Sequence, residues 1–291
     1  MRAGEFVVVW RDENSEDGSG QGVFAQRFSS TATPLGTEFQ VNTYTTGYQG
    51  SYPLTVATAA NQFVVAWSSY DQDGDIYGIF AQRFATNGTP LGTEFQVNSY
   101  TTGNQRYPAV TTDAAGDFVI VWQSNGQDGS SFGVFGQRFA SDGAPRGTEF
   151  QVNTYTTGSQ YTYPSSNIAS DAAGNFVIVW TSIGQDGSSR GAFAQRFGSD
   201  GTRLGTEFRV NTYTTDQQNY PTVVSDARGN FIVAWQSRGQ DGSNYGIFAQ
   251  RFGVTALLQQ AAPAVGHIGL IVLAFGFLVL GGMRLIRRQR A

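Results

Sequence analysis

The 291-residue chain contains no cysteine and no lysine, and its single histidine is His267. Without cysteine there are no disulfides, no thiolate nucleophile and no Cys-based metal site. With one histidine near the C-terminus, neither a Ser-His-Asp triad nor a histidine metal centre can be assembled in the first 250 or so residues. Charge is also scarce: 14% of residues are charged, against roughly 25% in an average soluble domain. What the chain has instead is glycine, 37 residues, and aromatics, 14%. That composition excludes a disordered segment and a coiled coil, and leaves side-chain packing as the source of cohesion.

The charge is unevenly placed. Residues 1–266 carry 14 Arg against all 22 acidic residues, a balance of −8, while the last eight residues hold four Arg and no acid. An acidic body repels phosphate backbones, so nucleic acid is excluded as a partner.

Most of the chain is one unit written repeatedly. Trp10, Trp67, Trp122, Trp180 and Trp235 are spaced by 57, 55, 58 and 55 residues, and each closes an apolar run: FVVVW, FVVAW, FVIVW, FVIVW and FIVAW. A Gly-Asp turn follows, then GVFAQRF or a variant ending at Phe28, Phe84, Phe139, Phe197 and Phe252. TEFQVN or TEFRVN comes next, ending at Asn42, Asn98, Asn153 and Asn211, and an NTYTTG-type loop then leads to a Tyr-Pro pair. Short runs rich in Val and Phe, punctuated by Gly, Asp, Asn and Pro, predict four strands per unit. FVVVW is apolar on both alternating faces, which marks a strand covered on both sides. TEFQVN alternates, which suits a strand nearer solvent. The proline of each Tyr-Pro pair is expected where a strand begins.

A four-stranded unit of this length resembles a β-propeller blade, and the repeat as a whole resembles those of large secreted bacterial repeat proteins. The expected fold class is therefore all-β: a propeller of about five four-stranded blades over residues 1–253, the first and last incomplete. Within a blade the order is YPxVxxD innermost, then FVVVW, GVFAQRF and TEFQVN at the rim. Tandem sandwiches with two repeats each are the rival architecture. The two partial blades do not add up to one, so either the ring is open or a segment preceding Met1 completes it; the latter is the expectation. Trp10, Trp67, Trp122, Trp180 and Trp235 are assigned structural roles between blades, each large aromatic contributing roughly 1.5–3 kcal/mol on full burial.

Residues 254–267 read as a linker, and 268–286, IGLIVLAFGFLVLGGMRLI, as a transmembrane helix, since 19 residues at 1.5 Å each span about 28 Å. Arg287, Arg288 and Arg290 make 287–291 a basic tail. The positive-inside rule places that tail in the cytoplasm and the repeats outside. Residues 261–291 resemble the sorting tails of exosortase-processed bacterial proteins, the PEP-CTERM group, although Ala262-Pro263-Ala264 stands where that group has Pro-Glu-Pro.

Three sets of residues are candidates for chemistry. Asp71, Asp73 and Asp75 have a DxDxD spacing that fits calcium, the one cofactor considered; elsewhere the Asp-Gly pairs read as tight turns. Arg27, Arg83, Arg138, Arg196 and Arg251 recur once per unit and are expected to pair with Glu38, Glu94, Glu149 and Glu207 of the adjacent strand. Tyr44, Tyr100, Tyr155 and Tyr213, in the NTYTTG loops, are the candidate ligand-binding residues, able to stack on sugar rings.

Catalysis is not expected, because the acids recur at equivalent turn positions while a catalytic site needs distinct residues. The principal expectation is a membrane-anchored protein of the cell surface that binds a glycan or a surface protein, for adhesion or scaffolding. One alternative is a fragment of a propeller glycan hydrolase, with its site in a missing blade or among Asp12, Glu13, Asp71 and Asp75; another is a purely structural envelope repeat.

Overall fold

In the computed structural model of the chain, the described residues are 4–253 other than 15, 51–54, 60 and 164–165. All regular elements in this stretch are strands, and they form five sheets in chain order. Blade 3 shows the pattern. Its inner strand Gln105–Thr112 pairs with Phe118–Asn125, that with Phe132–Phe139, and that with a two-residue rim strand, Phe150–Gln151, all antiparallel. This is the strand order expected from the sequence, and blade 2 repeats it with Thr55–Thr58, Gln62–Tyr70, Tyr77–Ala85 and Phe95–Gln96. In blade 4 the unit is three residues longer, and the inner strand is split into Gln160–Tyr161 and Ile168–Ser170, both paired with Phe176–Ile183. Blade 1 lacks an inner strand and blade 5 a rim strand among the described residues. Residues 254–291, which carry the expected linker, membrane span and tail, lie outside the described residues. Among those described, no helix is long and apolar enough to cross a membrane.

The rim strand is shorter than the TEFQVN pattern implies because an asparagine side chain takes over the ladder. Asn42, Asn98, Asn153 and Asn211 are buried, and their Oδ1 atoms accept the N–H of Val23, Ile79, Val134 and Ala192 at 2.7 Å. Each Nδ2 donates onward to the carbonyl two residues later and to the aspartate of the Gly-Asp turn, as Asn98 does to Tyr100 O at 3.0 Å and Asp73 Oδ2 at 3.0 Å. One side chain thus ties rim, third strand, turn and loop together. The glycine opening each third strand belongs to the same arrangement: a Cβ on Gly133 would lie 2.6 Å from Asp128 Oδ2.

Cohesion comes from between the blades. The Phe118, Ile120 and Trp122 face of blade 3 packs on Val64, Ala66, Ile79 and Ala81 of blade 2. The same union recurs between blades 1 and 2, 3 and 4, and 4 and 5. The innermost strands also touch one another: Val110 N–H donates to Thr55 Oγ1 at 3.3 Å, and the Thr111 and Ser170 hydroxyls are 2.9 Å apart. The sheets therefore stand around a common line as a propeller-like fan. Among the described residues no such core joins blade 5 to blade 1. Both end faces consequently show apolar side chains: Phe6 and Val8 on blade 1, Ile232 and Ile247 on blade 5. Ile247 is 76% exposed, whereas Ile79, at the same place in blade 2, is 0% exposed.

This contrast gives a direct check on the assignment of the interfaces. Ile79→Ala should destabilise the protein by about 2–5 kcal/mol through a cavity between blades 2 and 3. Ile247→Ala should fall within about 0.5 kcal/mol of the parent. Equal losses in urea denaturation would show that the blade 5 face is covered.

Candidate functional site

The residues singled out by repetition are mostly occupied by the fold. Trp67, Trp122, Trp180 and Trp235 are buried between blades, and Trp10, on the open face of blade 1, is half-buried. The expected Arg–Glu pairing is not what the structure shows. Arg27, Arg83 and Arg138 instead donate at 2.7 Å to Asn87 O, Ser141 O and Ser199 O, backbone carbonyls of the following blade. Desolvation lowers the pKa of Arg83 and Arg138, but a guanidinium stays charged at any ordinary pH. Arg196 lines a cleft facing blade 5, and Arg251 lies exposed on the open end face. The glutamates reach the other way. Glu94 Oε2 accepts Thr43 N–H of the preceding blade at 2.6 Å and Thr43 Oγ1 at 3.0 Å, while its Oε1 accepts Gln72 Nε2 at 2.6 Å. Glu149 and Glu207 do the same with Ser99 and Gln127, and with Thr154 and Gln185. The physical reason is reach: each charged side chain crosses to a backbone group of the neighbouring blade rather than to an ion within its own sheet.

The acids proposed for calcium or catalysis are, apart from Asp71, likewise committed. Asp73 accepts from Asn98 and from the Asp75 N–H, and burial pushes its carboxyl up. Asp75 accepts the Gly103 N–H at 2.7 Å. Asp71 is exposed at the end of the second strand. The three do not converge, and among the described residues no group of three His, Asp or Glu side chains is placed to hold a metal. Asp12 accepts from Asn14 and Glu16 N–H, and the Glu16 bond holds its carboxyl below the usual range. Glu13 pairs with Arg11. Tyr44, Tyr100, Tyr155 and Tyr213 are half-buried, one per loop, with each carbonyl held at 2.9–3.0 Å by the asparagine two residues before it.

The structure gathers a different set of tyrosines. Tyr107 and Tyr163 meet edge to face at 5.0 Å between centroids, and Tyr163 and Tyr220 at 5.5 Å. The three belong to the Tyr-Pro pairs of blades 3, 4 and 5; Tyr107 and Tyr220 lie on innermost strands and Tyr163 in the gap of the split one, so they form a continuous row beside the line the blades share. Tyr163 and Tyr220 are 41% and 43% exposed.

The backbone beneath the row is strained and locked. Pro108 and Pro221 lie inside their strands rather than at the start, which corrects the sequence expectation. The ladder shifts register between Arg106 and Ala109 and between Asn219 and Thr222, and the bulge accommodates a residue without an N–H. Tyr107 and Tyr220 take left-handed φ values of 57° and 54°, a conformation that costs a bulky residue about 1–3 kcal/mol and persists where surroundings over-determine it. Blade 4 supplies those surroundings. Thr162 Oγ1 donates to Tyr107 O at 3.2 Å, Asn167 Nδ2 to Pro221 O at 3.1 Å, and Tyr220 N–H to Thr181 Oγ1 at 3.2 Å. Arg106 stands beside the row, 5.7 Å from the Tyr107 centroid and 4.7 Å from that of Phe132. Rings with an electron-rich face, two of them exposed and all fixed edge to face, can present a surface to the polarised C–H faces of sugars. The sequence signal was present in the recurrent Tyr-Pro pair, but spacing alone could not bring rings 56 and 57 residues apart into contact.

No family model matches the chain, and no curated protein matches it in sequence. Solved structures do resemble it. An α-L-arabinofuranosidase from Fusarium graminearum aligns with a TM-score of 0.54 at 12% identity, over 85% of this chain and 78% of that one. A thermostable family-43 glycoside hydrolase aligns at 0.46, with 11% identity over 90% and 93%. An endo-arabinase from Bacteroides thetaiotaomicron aligns at 0.44, with 12% identity over 86% and 94%. At such identity the likeness is one of fold. It nonetheless corrects the expectation that this chain is not an enzyme. The Fusarium protein is a glycosidase built on the same fold, so a repetitive blade array is no argument against catalysis.

The re-assigned Arg and Glu contacts can be tested by a double-mutant cycle. Arg138→Met and Glu149→Gln should each destabilise by about 1–2 kcal/mol, as lost charge-assisted hydrogen bonds do. Because they share no partner, the double variant should equal their sum to within about 0.5 kcal/mol. A larger coupling energy in thermal unfolding would restore the ion pair.

Proposed function

We propose that the repeat domain engages a neutral glycan as part of a propeller glycan hydrolase, holding sugar rings on the row Tyr107, Tyr163 and Tyr220. The observation that carries this reading is the row itself: three rings in mutual contact, two of them exposed, on a backbone held left-handed at two of its three members. Strain locked in by a neighbouring blade is a feature of sites that must be rigid before a ligand arrives. The fold shared with the Fusarium arabinofuranosidase supports a furanose or pyranose polymer as the ligand class. Hydrolysis of such a bond requires a pair of carboxyl groups about 5–9.5 Å apart. Asp12, Glu13, Asp73 and Asp75 are committed to turns and an ion pair, so they are not assigned to that pair. In this reading the apolar stretch 268–286 tethers the domain to a membrane with the repeats outside.

The test uses the full chain with arabinan and with other neutral plant-type polysaccharides, measuring binding by affinity electrophoresis and cleavage by reducing-end release. Tyr163→Ala and Tyr220→Ala should each weaken binding about tenfold, equivalent to about 1.4 kcal/mol. Exposed as these rings are, the melting temperature should stay nearly unchanged. Absence of both binding and cleavage across the panel would end the proposal.

A further inference from the structure

In a molecule whose modules repeat so closely, the positions that break the repeat are those the fold does not require. Blade 2 breaks it in one place. Tyr48, in the loop leading into the blade, and Tyr70 and Tyr77, at the facing ends of its second and third strands, meet edge to face at 6.3 and 5.2 Å. Tyr48 is 50% exposed and Tyr70 40%. At the place of Tyr48 the following units have Asn104, Ser159 and Gln217, and at the place of Tyr70 they have Asn125, Ile183 and Arg238. Blade architecture therefore calls for an aromatic at neither position.

The residue after Tyr70 breaks the repeat in a second, independent way. Blades 3, 4 and 5 have Gly126, Gly184 and Gly239 there, at φ of 76°, 74° and 74°. Blade 2 keeps the left-handed turn, at φ 62°, but fills it with Asp71. An aspartate tolerates that conformation better than most residues, yet glycine takes it without penalty. The substitution places an exposed aspartate directly after Tyr70 in the chain. Rings that stack on C–H faces and a carboxylate that accepts from hydroxyl groups are together the two halves of sugar recognition.

The geometry points to a second carbohydrate-binding site on blade 2, formed by Tyr48, Tyr70, Tyr77 and Asp71, for a neutral sugar unit of the same polymer. Neutrality follows from Asp71, which would repel a uronic acid. This inference rests on the glycan reading of the axial row, and adds that the ligand is a chain long enough to occupy both places. Two weak sites on one polymer raise apparent affinity without any new contact.

The experiment replaces three blade 2 residues by those blade 3 carries at the same positions: Tyr48→Asn, Tyr70→Asn and Asp71→Gly together. Blade 3 folds with these residues, so the melting temperature is a control that should hold. Titration calorimetry with a short neutral arabino-oligosaccharide should give two sites per chain in the parent and one in the triple variant. Affinity for soluble arabinan should fall about tenfold or more. An unchanged stoichiometry and arabinan affinity, with Tyr163→Ala still weakening binding, would overturn the second site and leave the axial row standing. The reverse, loss in the triple variant with Tyr163→Ala silent, would support the blade 2 site and overturn the axial one. No binding by the parent would overturn both.

Discussion

Each sheet in this molecule has two apolar faces and no means of covering either by itself. The burial of the Phe-Ile-Trp face of one blade against the Val-Ala and Ile-Ala face of the blade before it is the constraint from which the remaining structure follows. It fixes the side-by-side arrangement, brings the innermost strands together, and leaves Phe6, Val8, Ile232 and Ile247 exposed at the two ends of the fan. Without disulfides, and with no helix among the described residues, this lateral burial is what converts five marginal sheets into one folded unit.

The polar residues that repeat serve the same union. The buried asparagine staples each rim to its own turn and loop, while arginine and glutamate reach across to backbone groups of the next and previous blades. Repetition of the asparagine, arginine and glutamate thus marks residues that the fold consumes. Chemistry is free to reside where the repeat is bent or broken: in the Tyr-Pro bulges around the shared line, in the split inner strand of blade 4, and at the tyrosine cluster of blade 2.

In the proposed reading these features bear on glycan recognition in a common way. Sugars offer weakly polarised C–H faces and many hydroxyl groups, so affinity depends on rigid aromatic surfaces and on repeated contact along a chain. A bulge clamped by Thr162, Asn167 and Thr181 supplies the rigidity. With the blade 2 cluster as proposed, the fan offers more than one place for contact.

The amino-acid pattern alone determined the all-β class, the four-strand unit and the order of strands within it, because alternation and punctuation are local properties of a strand. It also located four of the five tryptophans at the interfaces, Trp10 standing on the open face of blade 1, since a large aromatic closing a doubly apolar strand is covered wherever a neighbouring blade packs on it. Only the folded arrangement decided which tyrosines share a surface, and that arginine meets a carbonyl in the neighbouring blade rather than the nearby glutamate. Those outcomes depend on the angle and distance between sheets joined by residues more than fifty positions apart, and on backbone groups whose availability is set by the bulges and the asparagine staples. A side chain's partner is chosen in three dimensions from whatever the surrounding ladder leaves unpaired, and no spacing in the sequence records that choice.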